Sequence, residues 1–493
     1  MKEFNFYFSG HNFEYESRNT LRIFDLNIGC KIHNIDDFTN NENLALISIL
    51  EEINGIIYGK SYLYLNCELL NSAEYNSNEI FLERENEKKI KKTLVTKSIY
   101  TVLKKYYNVT PDYGILTGVR VVKIMIEARK NGKTDDEITR ILKHTYEISE
   151  EKIELLWNIL SIEDKYINDE INKKNYNLYI GIPFCPSKCS YCSFTSYVDL
   201  KENKINRYIE SLVYEIKETI KMAIKKGLKP DTIYIGGGTP SVLNENQINI
   251  IFNAINEYYN LRDINEVTFE AGRPDTLTKE KLLCLKKNKV NRISINPQTM
   301  NERTLKNIGR NHTAEDIKEK YTLAREIGFS CINMDVILGL PGENEDDVKN
   351  TIKEIIKLKP ENITVHALAY KKKSELSRET GEMSKDYDLI KKMHEIINYE
   401  CRTAGYTPYY MYRQKNIKGN SENIGFTLAG KESKYNIVII EELETILACG
   451  LGASSKIKSE DGRHVPLINF KSLEEYTRRM EDIIKKKEEL IKL

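Results

Sequence analysis

Short runs dense in β-branched and aromatic residues recur through the middle of the chain, at 177–182 (NLYIGI), 232–235 (TIYI), 266–270 (EVTFE), 292–296 (RISIN), 332–338 (INMDVIL) and 363–368 (ITVHAL). The stretches between them, 205–226, 245–259, 279–287, 314–327 and 345–357, carry apolar residues at helical spacing. Strands alternating with helices build successive βα units on a parallel sheet. Six such units predict an α/β fold containing a partial (β/α)6 barrel. In barrels of this kind chemistry collects at the C-terminal ends of the strands.

The flanks are patterned differently. Residues 1–170 predict an α+β extension, with strand-like runs at 4–8, 21–28 and 62–69 ahead of helical patterns at 89–107 and 136–146. The segment 114–120 (GILTGVR) is a glycine-punctuated turn before a helix; a structural turn is its simpler reading, an anion site at a helix start the other. The barrel occupies 171–375, and a mixed C-terminal domain, 376–493, ends in a charged helical pattern at 473–492 that predicts a solvated amphipathic helix. Three domains agree with 493 residues at roughly 150 residues per domain.

Charge narrows the function classes. Lys+Arg total 74 against 73 Asp+Glu, a net charge of +1, so no excess of positive charge steers the chain toward nucleic acid or an anionic membrane surface. Composition is 40% hydrophobic and 30% charged, which is compatible with packed cores rather than wholesale disorder. No apolar run approaches the ~18 residues of a membrane span. The opening MKEFNFYFSG lacks the apolar core of a signal peptide, so a cytoplasmic protein is expected.

Nine cysteines sharpen the picture. Six stand singly, at Cys30, Cys67, Cys284, Cys331, Cys401 and Cys449, and predict small buried side chains. The other three, Cys185, Cys189 and Cys192, crowd into eight residues of the string IPFCPSKCSYCSF. An odd total with one tight cluster speaks against a disulfide framework. Pro183 and Pro186 disfavour helix there, so the cysteines belong on a loop after the first barrel strand. Three thiolates can occupy three corners of a [4Fe–4S] cube and leave one iron open. Structural zinc is the competing reading, but it normally takes four ligands, and no second cysteine pair or nearby histidine is present. Phe184, Tyr191 and Phe194 would wall the cluster from water.

CxxxCxxC on that loop resembles the radical S-adenosylmethionine (SAM) enzymes, and the longer string YIGIPFCPSKCSYCSF is similar to their oxygen-independent coproporphyrinogen III oxidase family. Residues 176–455, and 114–123 in the extension, resemble its HemZ-like branch (coproporphyrinogen dehydrogenase type). The resemblance implies a radical-SAM barrel with a HemN-like C-terminal domain, and a [4Fe–4S] cluster and SAM as cofactors. It implies roles at named positions. Gly236, Gly237, Gly238 and Thr239 would form the loop that hydrogen-bonds the methionyl amino group, and Glu270 would pair with the ammonium or sulfonium. Gln298 would contact the ribose, Arg310 would grip the methionyl carboxylate, Asp335 would hold a second SAM or its ribose, and Tyr179 would touch substrate or SAM. His366 and Tyr370, with the aromatic and cationic run from Tyr409 to Lys415, would meet a tetrapyrrole and its propionates.

The implied activity is anaerobic oxidative decarboxylation of coproporphyrinogen III propionates to vinyls, giving protoporphyrinogen IX, with electrons from a donor the residues leave unidentified. Two departures stand out: Gly181 takes the position of a histidine in the best-studied oxidases, and Phe194 that of a fourth cysteine. The CxxxCxxCxF ending is similar instead to heme-trafficking chaperones. A heme-binding chaperone and a radical-SAM heme-remodelling enzyme are therefore the alternatives.

Overall fold

A computed structural model describes residues 3–25, 28–39, 44–83, 86–118, 120–194, 196–198, 201–369, 383–415, 417–459 and 463–492. They form two sheets. The N-terminal sheet contains β1 (Glu3–Ser9), β2 (Gly29–Asn34), β3 (Leu44–Ile53), β4 (Ile56–Leu65) and β5 (Glu68–Asn76) in the order β2-β1-β3-β4-β5. Helix Glu87–Tyr107 lies across β4 and β5. It comes so close that a Cβ on Gly59 would fall 2.8 Å from that of Leu94.

Two expectations for the extension change. The run 21–28 is not a strand: helix Glu14–Phe24 buries Ser17, Thr20, Leu21 and Phe24, an i, i+3, i+4, i+7 stripe that the local β-propensity concealed. The run 62–69 breaks at Asn66 and Cys67, both with positive φ (50° and 69°), a two-residue hairpin turn between β4 and β5. That turn leaves Cys67 exposed and Cys30 is only half-buried, whereas Cys284, Cys331, Cys401 and Cys449 are buried as expected. The glycines of 114–120 serve the turn: Gly114 has φ 51°, and a Cβ there would fall 1.9 Å from the Tyr146 carbonyl oxygen.

The larger sheet runs through β6 (Asn175–Ile182), β7 (Lys229–Gly237), β8 (Glu266–Glu270), β9 (Arg292–Ser294), β10 (Ile332–Leu338) and β11 (Asn362–Ala367), all parallel and in sequence order. Helices Glu202–Lys225, Glu245–Asn256, Lys279–Lys287, Ala314–Glu326 and Glu345–Leu358 make the crossovers. Sequential order without reversal is that of a partial barrel, not of a doubly wound sheet. Ile180, Ile235, Phe269, Ile293, Val336 and Val365 are buried on the helix-facing side of the sheet, each fully buried side chain contributing about 1.5–3 kcal/mol.

The C-terminal region extends both edges of this sheet. β12 (Thr407–Tyr412) and β13 (Asn423–Thr427) add antiparallel beside β11. On the other side β14 (Thr445–Cys449) pairs parallel with β6, followed by β15 (Ser454–Lys458) and β16 (His464–Ile468). The final pattern forms two helices, Leu473–Arg478 and Met480–Ile491. The second is not simply solvated: Met480, Ile483, Ile484, Lys487 and Ile491 are buried. No helix among the described residues is long and apolar enough to cross a membrane.

Candidate active site

The cysteine loop leaves β6 at Pro183 and folds back on itself through Tyr197, whose N–H donates to the Pro183 carbonyl (2.7 Å) and whose carbonyl accepts from Cys185 N–H (3.0 Å). β7 docks against it. Gly238 N–H donates to Ile182 (2.8 Å), Thr239 N–H to Phe184 (2.7 Å), and the Thr239 hydroxyl lies 3.5 Å from Cys185 Sγ. A Cβ on Gly238 would fall 2.6 Å from the Phe184 oxygen and 3.0 Å from Cys185 Sγ, so glycine is what permits this approach. Phe184 is fully buried, Tyr191 half-buried, and Phe194 is 66% exposed rather than a shield.

Cations surround the loop. Arg273 donates to Ser187 Oγ (2.9 Å), stands 3.9 Å from Cys189 Sγ and is held bidentate by Asp275. Arg310 is buried, donating to the Tyr191 hydroxyl (2.9 Å) and the Gly272 carbonyl (3.3 Å). Three soft thiols facing one cavity beside two guanidinium groups suit an anionic iron–sulfur cluster. Among the described residues no group of three His, Cys, Asp or Glu side chains is arranged to hold a single metal ion.

That cavity, of about 540 Å³, opens at the C-terminal ends of the barrel strands. Cys185, Cys189, Cys192, Tyr179, Gly237, Gly238, Thr239, Glu270, Gln298, Arg310 and Asp335 all line it. Gly236 does not: its Cβ would fall 2.7 Å from the Tyr234 ring and 2.8 Å from the Glu270 carboxyl, so its bareness lets those two meet. Glu270 accepts from the Tyr234 hydroxyl (2.5 Å) and Gly237 N–H (3.2 Å). Burial pushes the Glu270 carboxyl up to about 7, with the Tyr234 hydrogen bond opposing the shift. Arg273 is engaged with Asp275, and Glu270 has no salt bridge among the described residues.

Gln298 follows β9 with φ 67° and bonds the next strand through its backbone, donating to Asp335 O and accepting from Ile337 N (both 2.9 Å). The Asp335 carboxylate accepts from Asn333 Nδ2 (2.7 Å) and faces His366 Nε2 at 3.8 Å, and His366 Nδ1 lies 3.1 Å from the Tyr412 hydroxyl. His366, Tyr410 and Tyr412 extend the cavity wall beyond Asp335.

The expected aromatic and cationic surface is corrected in part. Tyr409 and Met411 are core, and Arg413 is buried, donating to the carbonyls of Leu116, Asn420 and Ser421 and stacking 4.0 Å over Tyr113. It ties the N-terminal extension to the sheet, and its buried guanidinium is engaged with backbone rather than presented to a propionate. Tyr370 lies outside the described residues. Two aromatic neighbours went unforeseen: Tyr234, visible as an alternating position of its strand, and Tyr435, stacked on it at 4.4 Å from helix Lys434–Glu441. No local signal announces the second.

A three-cysteine loop after the first strand of a six-strand parallel barrel defines a radical SAM protein, and residues 179–355 match the family model described as the Radical SAM superfamily. Its cofactors are a [4Fe–4S] cluster and SAM. The chain is 38% identical over 409 residues, 81% of this chain and 80% of the relative, to the oxygen-independent coproporphyrinogen-III oxidase-like protein HemZ of Bacillus subtilis. It belongs to that oxygen-independent coproporphyrinogen-III oxidase-like family. It is also 32% identical over 293 residues to the heme chaperone HemW of Bacillus subtilis, 57% of this chain and 70% of the relative. Among solved structures the coproporphyrinogen III oxidase HemN of Escherichia coli shares the fold, with a TM-score of 0.52 at 22% identity, covering 63% of this chain and 70% of that one.

Proposed function

We propose that the protein oxidatively decarboxylates the propionates of coproporphyrinogen III to vinyls, yielding protoporphyrinogen IX. The observation that carries this reading is the single cavity joining Cys185, Cys189 and Cys192 to Glu270, Gln298, Arg310 and Asp335, then running on to His366, Tyr410 and Tyr412. When bound, cluster and SAM supply the one-electron chemistry that removes a hydrogen atom from an unactivated carbon. The three cysteines would hold the cluster, and the Gly237–Thr239 turn and the Glu270 carboxylate would receive the methionyl ammonium. Arg310 would meet the carboxylate, and Gln298 and Asp335 would meet the ribose. Tyr179 packs beside Tyr234 (ring centroids 6.2 Å) and closes the cavity floor.

The substrate side is His366 and Tyr412. For each propionate to become a vinyl it must lose one β-hydrogen atom, one electron and CO2; the bound cofactors would take the hydrogen atom and a one-electron acceptor the electron. Two rounds release two CO2. A donor protein would reduce the cluster, and a net charge of only +1 argues against nucleic acid as partner. Reading the chain as a heme chaperone is favoured by its likeness to HemW and by the exposed Phe194.

The deciding experiment is anaerobic reconstitution with SAM, a strong reductant and coproporphyrinogen III, with porphyrins followed by mass. Successive loss of two carboxyl groups is expected. SAM cleavage with intact substrate would move the assignment to heme remodelling, and heme capture without SAM turnover to the chaperone.

A further inference from the structure

A second cavity, of about 520 Å³, opens on the β14 side of the cysteine loop and shares Tyr179, Gly237 and Gly238 with the first. Its volume lies within the usual range for small-molecule sites, and its walls are largely apolar, with Phe194, Tyr435 and Leu451 prominent. Among the described residues Lys471 is the one charged side chain lining it, and Lys471 is exposed with no ion-pair partner there.

Two features show that the cavity is built into the fold. The backbone beside Leu451 and Lys471 is anchored by a fully buried ion pair: Lys487 Nζ donates to Glu215 Oε1 (2.6 Å), and the same carboxylate accepts from Gly450 N–H (2.8 Å) and Asn469 Nδ2 (2.7 Å). Gly452 N–H donates to Phe470 (2.8 Å), the residue before Lys471. The second feature is Gly181. A Cβ there would meet the Tyr179 ring at 3.4 Å and the Cys449 oxygen at 3.6 Å, ordinary contacts, and its φ is not left-handed. Backbone geometry does not demand glycine at this place; its bareness leaves the cavity open.

We propose that this second cavity is a subsite for one pyrrole edge of the tetrapyrrole, its ring packed against Phe194 and Tyr435 and its propionate paired with Lys471. An apolar pocket with one cation at its rim matches an apolar ring that carries an anionic tail. Because the two cavities share a wall, one macrocycle spans both, anchored by one propionate while another reaches the cluster side. This rests on the tetrapyrrole reading above.

The test is fluorescence titration of the full-length, reconstituted protein with coproporphyrin III and with its tetramethyl ester, alongside heme. Lys471→Glu is expected to weaken coproporphyrin III binding by about fivefold, as befits an exposed ion pair turned repulsive, and to leave the ester unaffected. Gly181→Leu is expected to weaken both porphyrins at least about tenfold by filling the cavity. SAM affinity should stay unchanged in both variants. If Gly181→Leu fails to fold, the exposed Lys471→Glu decides alone. Unchanged coproporphyrin III affinity in Lys471→Glu would overturn the subsite and leave the decarboxylase reading standing. Failure of the wild-type protein to bind any of the three probes would remove both.

Discussion

Tyr234 donates its hydroxyl to Glu270 at 2.5 Å across adjacent parallel strands, and a glycine between them, Gly236, has no side chain to interfere. Burial, with the nearby Asp335 charge, drives the Glu270 carboxyl up to about 7, and the Tyr234 hydrogen bond is the largest influence opposing that rise. A methionyl ammonium pairs with the carboxylate, not the acid. SAM affinity should therefore rise between pH 6 and pH 8, and Glu270→Gln should flatten the profile.

In the ligand-free protein the sign reverses. A carboxyl raised from 4.5 to about 7 on folding binds its proton more tightly in the native state, so its contribution is full below 4.5 and is lost as pH rises through 7. Calorimetry of SAM binding and urea unfolding, each across that window, check the two halves. A pH-independent SAM affinity in the wild type would remove Glu270 from the ammonium site.

Gly238→Ala should damage the cysteine loop with all three cysteines kept. The added methyl falls 2.6 Å from the Phe184 oxygen, 2.9 Å from the Ile182 oxygen and 3.0 Å from Cys185 Sγ, and the two carbonyls can move only by breaking the Gly238–Ile182 and Thr239–Phe184 hydrogen bonds. Overpacking of this kind costs about 1–3 kcal/mol. Iron per protein after reconstitution should drop severalfold while circular dichroism stays native. Full iron loading would show that the loop tolerates displacement.

The parts of this site that were legible from sequence are those whose signal is local. Cysteine spacing with two prolines placed the loop, and periodicity located the six strands whose ends carry Glu270, Gln298 and Asp335. Long-range pairing left no such trace. Nothing near β13 or β14 says that they join opposite edges of the barrel, nor that helix Lys434–Glu441 delivers Tyr435 to the Tyr234 ring. Arg413 misled for a related reason. A cation among tyrosines suggests a ligand surface, yet the backbone carbonyls of Asn420, Ser421 and the distant Leu116 engage it in the interior.

Lys487 is a second such case, a charged residue of the terminal helix with no exposed surface. Replacing it with Met would leave Glu215 buried without its cation, at a cost of about 3–5 kcal/mol. The urea midpoint should fall accordingly, and Glu215→Leu combined with Lys487→Met should recover much of the loss. A single variant as stable as wild type would mean that Asn469 and Tyr476, which also donate to Glu215, suffice to hold the carboxylate.

Asp335 offers the sharpest test of the SAM contacts, because its own strand supplies the reason for its charge. Asn333 donates to it at 2.7 Å and His366 stands 3.8 Å away on the next strand, itself 3.1 Å from Tyr412. One partner is a neutral amide and the other is shared, so the carboxylate keeps acceptor capacity toward the cavity it lines. Asp335→Asn preserves shape and removes the charge. Losing a hydrogen bond to a charged acceptor costs about 1.5–3 kcal/mol, so SAM should bind roughly ten- to a hundredfold more weakly by calorimetry. Iron content and cluster absorbance should be unchanged, since no cysteine touches this network. An unaltered SAM affinity would place Asp335 with His366 and Tyr412 on the substrate side of the cavity.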